Sequence, residues 1–284
     1  MNMSVSLALY EKAIPSGFSF EEMFAITHEC GFDRFEISID ETDARLARLD
    51  MSFDEQNALG ELARKMNTPI RTMCLSGHRK YPMGSMDPKI RERSMYIMFK
   101  AVDFAANAGI PIIQLAGYDV YYEEGNEQTV RYFTDNLRIA TTYAASKGIV
   151  LAFESMETPF MDTVTKIMKY VDLIGSPWLG VYPDIGNLKN AAVLYGFDVT
   201  EELKKGKGHT FAVHLKETLP GIYRDMNYGT GGHTEYVPCV KAALDMGVRM
   251  FTGEFWYQSG QDYMKVIRES NEFLRNVIRE AENA

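Results

Sequence analysis

Four short apolar runs decide the fold of this chain: Leu151-Ala152-Phe153-Glu154, Val181-Tyr182-Pro183-Asp184, Phe211-Ala212-Val213-His214 and Met250-Phe251-Thr252-Gly253-Glu254. Each run ends in a residue that can bind a metal ion, and successive ends are 30, 30 and 40 positions apart. That spacing corresponds to about one strand-helix unit. A ligand that recurs at the ends of successive strands is typical of a (β/α)8 barrel, in which the chemistry lies at the carboxyl ends of the strands.

The same alternation of strand and helix signals extends through the whole sequence. Eight short apolar runs predict strands at 4–9, 35–38, 69–75, 112–116, 149–154, 179–184, 210–214 and 250–254. Eight helical segments are predicted at 19–31, 54–66, 87–109, 126–147, 162–174, 200–205, 236–246 and 262–282. Because the strands are nearly all apolar, we expect a parallel sheet that is buried on both faces. The sequence therefore predicts one α/β domain over residues 1–284, a single (β/α)8 TIM barrel.

Composition and charge narrow the classes of function. The chain has 284 residues, of which 46% are hydrophobic, and barrels of about 250 residues are common. A net charge of −9 argues against non-specific binding to nucleic acid or to an anionic membrane. No run of 18 apolar residues and no secretory leader pattern occurs, and the three cysteines lack the spacing of a zinc site. We therefore expect a cytoplasmic protein that binds neither nucleic acid nor membrane.

The four strand-end residues are the candidate metal ligands: Glu154, Asp184, His214 and Glu254. Two glutamates, an aspartate and a histidine suit a divalent ion, with Zn²⁺ or Mn²⁺ as the best candidates. Any one of them alone is better explained as a solvated strand end or a helix cap. Together, at equivalent positions of successive units, they predict a metal site, because burying so many carboxylates without a cation is costly. His209 precedes its strand, so we choose His214 as the ligand.

Further polar residues follow the predicted strands and are candidates for substrate binding: Lys12, His78, Arg79, Asn187, Lys216 and Trp256. Asn187 lies three residues after Asp184, and Lys216 lies two residues after His214 on the same side of the strand. The cationic side chains could hold a phosphate group within an otherwise acidic protein. Each of them is equally well read, on its own, as an ordinary surface charge.

Several stretches also carry a family likeness. The most specific are Ile113-Gln114-Leu115-Ala116-Gly117-Tyr118-Asp119-Val120-Tyr121-Tyr122 and Tyr182-Pro183-Asp184-Ile185-Gly186-Asn187-Leu188. Leu9-Tyr10-Glu11-Lys12-Ala13, Asp40-Glu41-Thr42-Asp43, Cys74-Leu75-Ser76 and Ala212-Val213-His214 extend the likeness over almost the whole chain. With these stretches the sequence resembles the L-ribulose-5-phosphate (L-xylulose-5-phosphate) 3-epimerases, a branch of the xylose-isomerase-like barrels that acts in pentose and L-ascorbate catabolism.

The resemblance implies a xylose-isomerase-like barrel that binds a divalent metal through Glu154, Asp184, His214 and Glu254. It also implies a homodimer in which Glu154 and Glu254 of each subunit transfer protons. Asn187 stands where related epimerases of unphosphorylated ketoses commonly have a histidine, and Pro220 stands where they commonly have an arginine. Both departures favour a phosphorylated substrate.

The expected reaction is inversion of C3 in a ketopentose 5-phosphate, from L-xylulose 5-phosphate to L-ribulose 5-phosphate. One carboxylate would remove the C3 proton from one face, and the other would return a proton to the opposite face of the resulting cis-enediolate. The alternatives are a 3-epimerase of free ketoses, an aldose–ketose isomerase, and a sugar-phosphate binder without catalysis. A DNA-repair endonuclease on the same barrel is disfavoured, because it needs more histidine ligands than the five histidines provide and a basic face.

Overall fold

The computed structural model describes residues 4–284, and its elements follow the predicted alternation. The strands are β1 (Ser6–Tyr10), β2 (Arg34–Ile39), β3 (Ile70–Leu75), β4 (Ile112–Ala116), β5 (Val150–Glu154), β6 (Leu179–Val181), β7 (Val213–Leu215) and β8 (Met250–Gly253). The α-helices are α1 (Phe20–Glu29), α2 (Asp43–Leu46), α3 (Phe53–Lys65), α4 (Pro88–Ala108), α5 (Glu127–Ser146), α6 (Val164–Ile174), α7 (Ile185–Tyr195), α8 (Val199–Lys204), α9 (Tyr236–Asp245) and α10 (Tyr263–Asn283). Short 3-10 helices occupy Glu11–Ala13, Ala47–Asp50 and Gly77–Arg79.

All eight strands are parallel and form one sheet in the order β6-β5-β4-β3-β2-β1-β8-β7. The two ends of this order meet through two isolated parallel bridges, Val181 to Thr210 and Asp184 to His214. The sheet is thereby curled into a barrel, and the predicted (β/α)8 architecture is confirmed.

Local capping explains where several helices begin and end. Ser19 and Ser52 each form a capping box, in which the serine side chain accepts from a backbone N–H and the glutamate three residues later returns the bond. Asp87 caps α4, and Pro88 occupies the first turn. Gly109 and Gly175 end α4 and α6 in the left-handed conformation, with φ of 75° and 64°.

The structure corrects the sequence prediction around β6 and β7. Of the predicted strands 179–184 and 210–214, the regular strands of the described chain comprise Leu179–Val181 and Val213–Leu215, and the remaining contacts are isolated bridges. Pro183 has no N–H to donate to a ladder, so regular pairing stops before it. The sequence also predicted no helix directly after Asp184, whereas α7 begins there and ends at Gly196, which has φ of 74°.

The core lies on both sides of the strands. Leu9, Ile37 and Phe153 belong to the large apolar cluster that joins the strands to the surrounding helices. A second, smaller apolar cluster is formed by Ile112, Ala152, Tyr182 and Ala212. Within residues 4–284, no helix has both the length and the apolar character needed to cross a membrane.

Candidate active site

The four predicted ligands converge at the carboxyl-terminal end of the barrel. Glu154 is the last residue of β5, His214 lies within β7, and Asp184 and Glu254 follow β6 and β8. One ligand atom from each residue lies within 4.8 Å of the others, and all four residues are buried. The regular spacing along the sequence thus corresponds to a cluster in space.

The atoms of this cluster fit a divalent cation. Asp184 Oδ2 and Glu254 Oε2 are buried and make no hydrogen bond to any residue in the described range. His214 Nδ1 faces the same space, 3.2 Å from Glu154 Oε1 and 3.3 Å from Glu254 Oε2. Buried carboxylates this close together repel one another unless a cation lies between them. Three carboxylates and an imidazole nitrogen are therefore a suitable set of ligands for a metal ion.

Lys216 supplies part of the positive charge that the carboxylates need. Its Nζ lies 3.4 Å from Asp184 Oδ2 and 3.2 Å from Glu254 Oε2, and its side chain is 6% exposed. Burial disfavours the ammonium, but the charges of Asp184 and Glu254 outweigh burial and raise the pKa of Lys216. Burial raises the pKa of Asp184 and of Glu154, and the charge of Glu254 adds to both shifts. The site therefore favours a further cation.

The two carboxylate oxygens of Asp184 have different roles. Oδ1 accepts a hydrogen bond from the backbone N–H of Asn187 at 2.6 Å and caps the N-terminus of α7. Oδ2 makes no hydrogen bond within the described residues and faces the ligand cluster and Lys216. Gly186, in the first turn, leaves room for β7, because a Cβ there would lie 2.7 Å from the carbonyl oxygen of Lys216. The start of α7 thus fixes one metal ligand.

Sequence reasoning missed Glu36, which lies inside the barrel on β2. Its Oε1 is 2.7 Å from His214 Nε2, and both side chains are fully buried. Its Oε2 accepts a hydrogen bond from the hydroxyl of Tyr182 at 2.7 Å. Burial disfavours the charged imidazole, but Glu36 and Glu254 outweigh burial and raise the pKa of His214. The available signal was a lone acid within the apolar run Arg34-Phe35-Glu36-Ile37-Ser38-Ile39.

A pocket opens above the ligand cluster. Glu154 and Glu254 line it, whereas Asp184 and His214 lie below its surface. Five of the six predicted substrate-binding residues also line it: Lys12, Arg79, Asn187, Lys216 and Trp256. The remaining walls include Tyr10, and also Glu157 and Tyr223, which sequence reasoning did not single out.

His78 is the predicted substrate-binding residue that the structure does not bring to the pocket. It is 3% exposed, and its Nε2 lies 3.2 Å from the carbonyl oxygen of Ser94 in α4. Burial lowers the pKa of His78 to about 4, so the ring is neutral at pH 7. The 3-10 turn after β3 directs His78 into the protein and leaves Arg79 to reach the pocket. His78 therefore has a packing role here instead of the expected substrate contact.

Two cationic side chains at the pocket mouth are held by acids. Lys12 Nζ lies 2.8 Å from Asp40 Oδ2. Arg79 donates from Nη2 to the Tyr118 hydroxyl at 3.3 Å, and the same nitrogen lies 3.9 Å from Glu157 Oε1. Both cations thus lie beside the pocket, where they could contact an anionic group of a ligand.

Fold and site together define the class of protein. Residues 24–277 match the family described as the xylose isomerase-like TIM barrel, and the chain belongs to that family. A solved L-ribulose 3-epimerase has a TM-score of 0.78 and 14% identity over 99% of this chain and 96% of its own. A D-tagatose 3-epimerase-like protein has a TM-score of 0.79 and 16% identity over 98% of each chain. These two likenesses concern the fold alone.

Relatives with higher identity narrow the class. SgbU of Haemophilus influenzae is 38% identical over 282 residues, which are 97% of both chains. The L-ribulose-5-phosphate 3-epimerases UlaE of Shigella boydii and Escherichia coli are each 36% identical over 276 residues, which are 97% of this chain and 95% of theirs. The chain belongs to the L-ribulose-5-phosphate 3-epimerase family, as the resemblance predicted.

Proposed function

We propose that this protein is a metal-dependent 3-epimerase that interconverts L-xylulose 5-phosphate and L-ribulose 5-phosphate. The observation that carries the proposal is the pair Glu154 and Glu254, which both line the pocket and both belong to the ligand cluster. They lie at the ends of β5 and β8, and along the sequence the other two ligands fall between them. Two carboxylates in one pocket suit a reaction in which a proton leaves one face of a carbon and returns to the opposite face.

The reaction begins at C3 of the ketose, whose proton is weakly acidic because C3 is next to the C2 carbonyl. One of the two glutamates removes this proton and leaves a cis-enediolate. The other glutamate, which starts as the carboxylic acid, gives its proton to the opposite face and is left as a carboxylate, so that C3 is inverted. The direction of the reaction decides which of the two glutamates is the base. A divalent ion held by the four ligands, Zn²⁺ or Mn²⁺ in our proposal, would polarise the carbonyl and stabilise the developing negative charge.

Three residues would orient the sugar above the ligands. Asn187 donates from Nδ2 to the carbonyl oxygen of Ser155 at 2.8 Å, and its buried Oδ1 has no partner within the described chain. That oxygen is available to accept from a sugar hydroxyl. Lys216 would donate to a substrate oxygen beside Glu254, and the ring of Trp256, 5.8 Å from Lys216 Nζ, would cover the apolar edge of the sugar.

Lys12 and Arg79 are the proposed phosphate contacts. Both line the pocket, and both are paired with acids that a phosphate could displace. Arginine and lysine are the side chains that most often bind phosphate groups. A homodimer, a cytoplasmic location and a place in pentose and L-ascorbate catabolism stay predictions from the family likeness.

Deuterium exchange tests the proposed reaction directly. We expect the metal-loaded protein in D₂O to incorporate deuterium at C3 of L-ribulose 5-phosphate and to form the C3 epimer, as measured by NMR. Glu154→Gln and Glu254→Gln should each lower the rate by at least about 100-fold, because a positioned acid or base typically contributes 100- to 10,000-fold. Metal content is measured for each variant, so that loss of metal is separated from loss of the proton carrier.

Free L-ribulose is the matched control substrate. Activity on the free ketose without activity on the phosphate would replace the proposed substrate with an unphosphorylated one. Unchanged exchange at C3 in both glutamine variants would show that the two-carboxylate mechanism is wrong.

A further inference from the structure

The hydrogen bond between Glu36 and His214 joins the barrel interior to the metal site. Glu36 lies on β2, opposite the strands that carry the ligands, and its exposed fraction is 0%. Its Oε1 is 2.7 Å from His214 Nε2, the ring nitrogen that points away from the other ligands. The other ring nitrogen, Nδ1, faces Glu154 and Glu254.

We propose that Glu36 is a positioning residue that keeps the proton of His214 on Nε2 and so presents the Nδ1 lone pair to the metal ion. An imidazole that binds a metal through one nitrogen commonly donates from the other to a carboxylate, which fixes the ring and makes the ligand more basic. This inference rests on the metal site of the proposed function but not on the identity of the sugar.

The surroundings of Glu36 hold its carboxylate in place. The hydroxyl of Tyr182 donates to Oε2 at 2.7 Å, and the Thr252 hydroxyl lies 2.8 Å from that of Tyr182. These bonds occupy one oxygen and leave the other for His214. The Tyr182 ring also packs against the imidazole, with ring centroids 4.7 Å apart. These contacts hold the Glu36 carboxylate where Oε1 meets His214 Nε2. With Nε2 held there, Nδ1 on the other side of the ring faces the ligand cluster.

Metal affinity tests the inference without any substrate. We expect Glu36→Leu to weaken Mn²⁺ binding about 10- to 100-fold in a chelator competition, the range typical of lost carboxylate partners of metal-binding histidines. Glu36→Gln should lose less, because its amide oxygen still accepts from Nε2–H. Glu202→Gln is the matched control, since Glu202 is also buried but bonds to Thr165 and Lys205 away from the site. It should bind Mn²⁺ as the wild type does.

NMR of ¹⁵N-labelled histidine in the Zn²⁺-loaded protein reports the tautomer. The wild type should show a downfield proton on Nε2 of His214, which Glu36→Gln shifts upfield and Glu36→Leu removes. The signal is assigned by its absence in His214→Gln.

Three outcomes have distinct meanings. Equal Mn²⁺ affinity in the wild type, Glu36→Leu and the control would overturn the inference, and so would a proton found on Nδ1. Failure of the wild type to bind either metal would instead remove the metal site of the proposed function. If Glu36→Leu does not fold, the position of the ring proton in the wild type and its upfield shift in Glu36→Gln decide the question.

Discussion

Asp184 holds the first turn of α7 with one oxygen and faces the metal ligands with the other. Oδ1 accepts from the backbone N–H of Asn187 at 2.6 Å, while Oδ2 makes no hydrogen bond within residues 4–284. A single carboxylate therefore links the stability of a helix to the geometry of the site, and substitutions can separate the two roles.

Asp184→Asn should keep the cap and lose the ligand. Asparagine caps helices about as well as aspartate, and the substitution also removes one buried carboxylate. Without metal, the variant should therefore be at least as stable as the wild type. Its Mn²⁺ affinity should fall by at least about tenfold, because a neutral amide replaces a charged ligand. Asp184→Ala should lose the metal and, in addition, about 1 kcal/mol of stability from the cap. Urea unfolding in EDTA and chelator competition measure the two effects, and equal stability of the two variants would contradict the capping role.

Metal addition should stabilise the folded protein in a saturable way. The unfolded chain does not assemble the four ligands, so binding to the native state contributes about 2.7 kcal/mol when the free metal concentration is 100 times Kd. We expect Mn²⁺ to raise the melting temperature of the EDTA-treated protein, and to do so much less for Asp184→Asn. A melting temperature that does not respond to Mn²⁺ or Zn²⁺ would argue against the ligand cluster.

His78 should make stability depend on pH. Burial lowers its pKa to about 4 in the folded protein, whereas an unfolded histidine has a pKa of about 6.5. Between these values the unfolded state binds more protons, so stability is fully present above about pH 6.5 and falls as the pH decreases towards 4. His78→Gln can still donate to the Ser94 carbonyl but does not titrate, so it should lose less stability over this range. Urea unfolding between pH 4.5 and 7 tests this, with exposed His28→Gln as a control that should keep the wild-type slope.

Lys12 and Arg79 should distinguish phosphorylated from free sugars. Replacing either with methionine removes a charge-assisted contact of about 1.5–3 kcal/mol, which corresponds to roughly 10- to 150-fold in kcat/KM for the ketose phosphate. Activity on a free ketose should change little. The exposed Lys265→Met on α10 is the matched control. Equal losses on both substrates would indicate a structural role in place of phosphate binding.

The spacing of strand ends predicted the barrel and its ligands because both follow from a repeating unit. Glu154, Asp184, His214 and Glu254 each end a strand-like run, and parallel strands bring such ends together. The side-chain direction of His78 could not be predicted in this way, because the residue lies within a 3-10 turn after β3 and not at a strand end. Helix α7 was missed because a helix cap and a metal ligand were treated as alternatives for Asp184, whereas its two oxygens allow both. Glu36 was missed because it lies within a strand and not at its end.

The seam between β6 and β7 gives the metal a second consequence. Within residues 4–284 these strands meet through isolated bridges around Pro183, and His214 N–H donates to the Pro183 carbonyl at 2.9 Å. Asp184 and His214, which one ion would bind together, stand on the two sides of that seam. A bound ion would therefore hold β6 and β7 together across the seam and help to keep the barrel closed. Its removal should speed hydrogen exchange at the amides of Phe211 and His214 more than at those of the regularly paired β2 and β3.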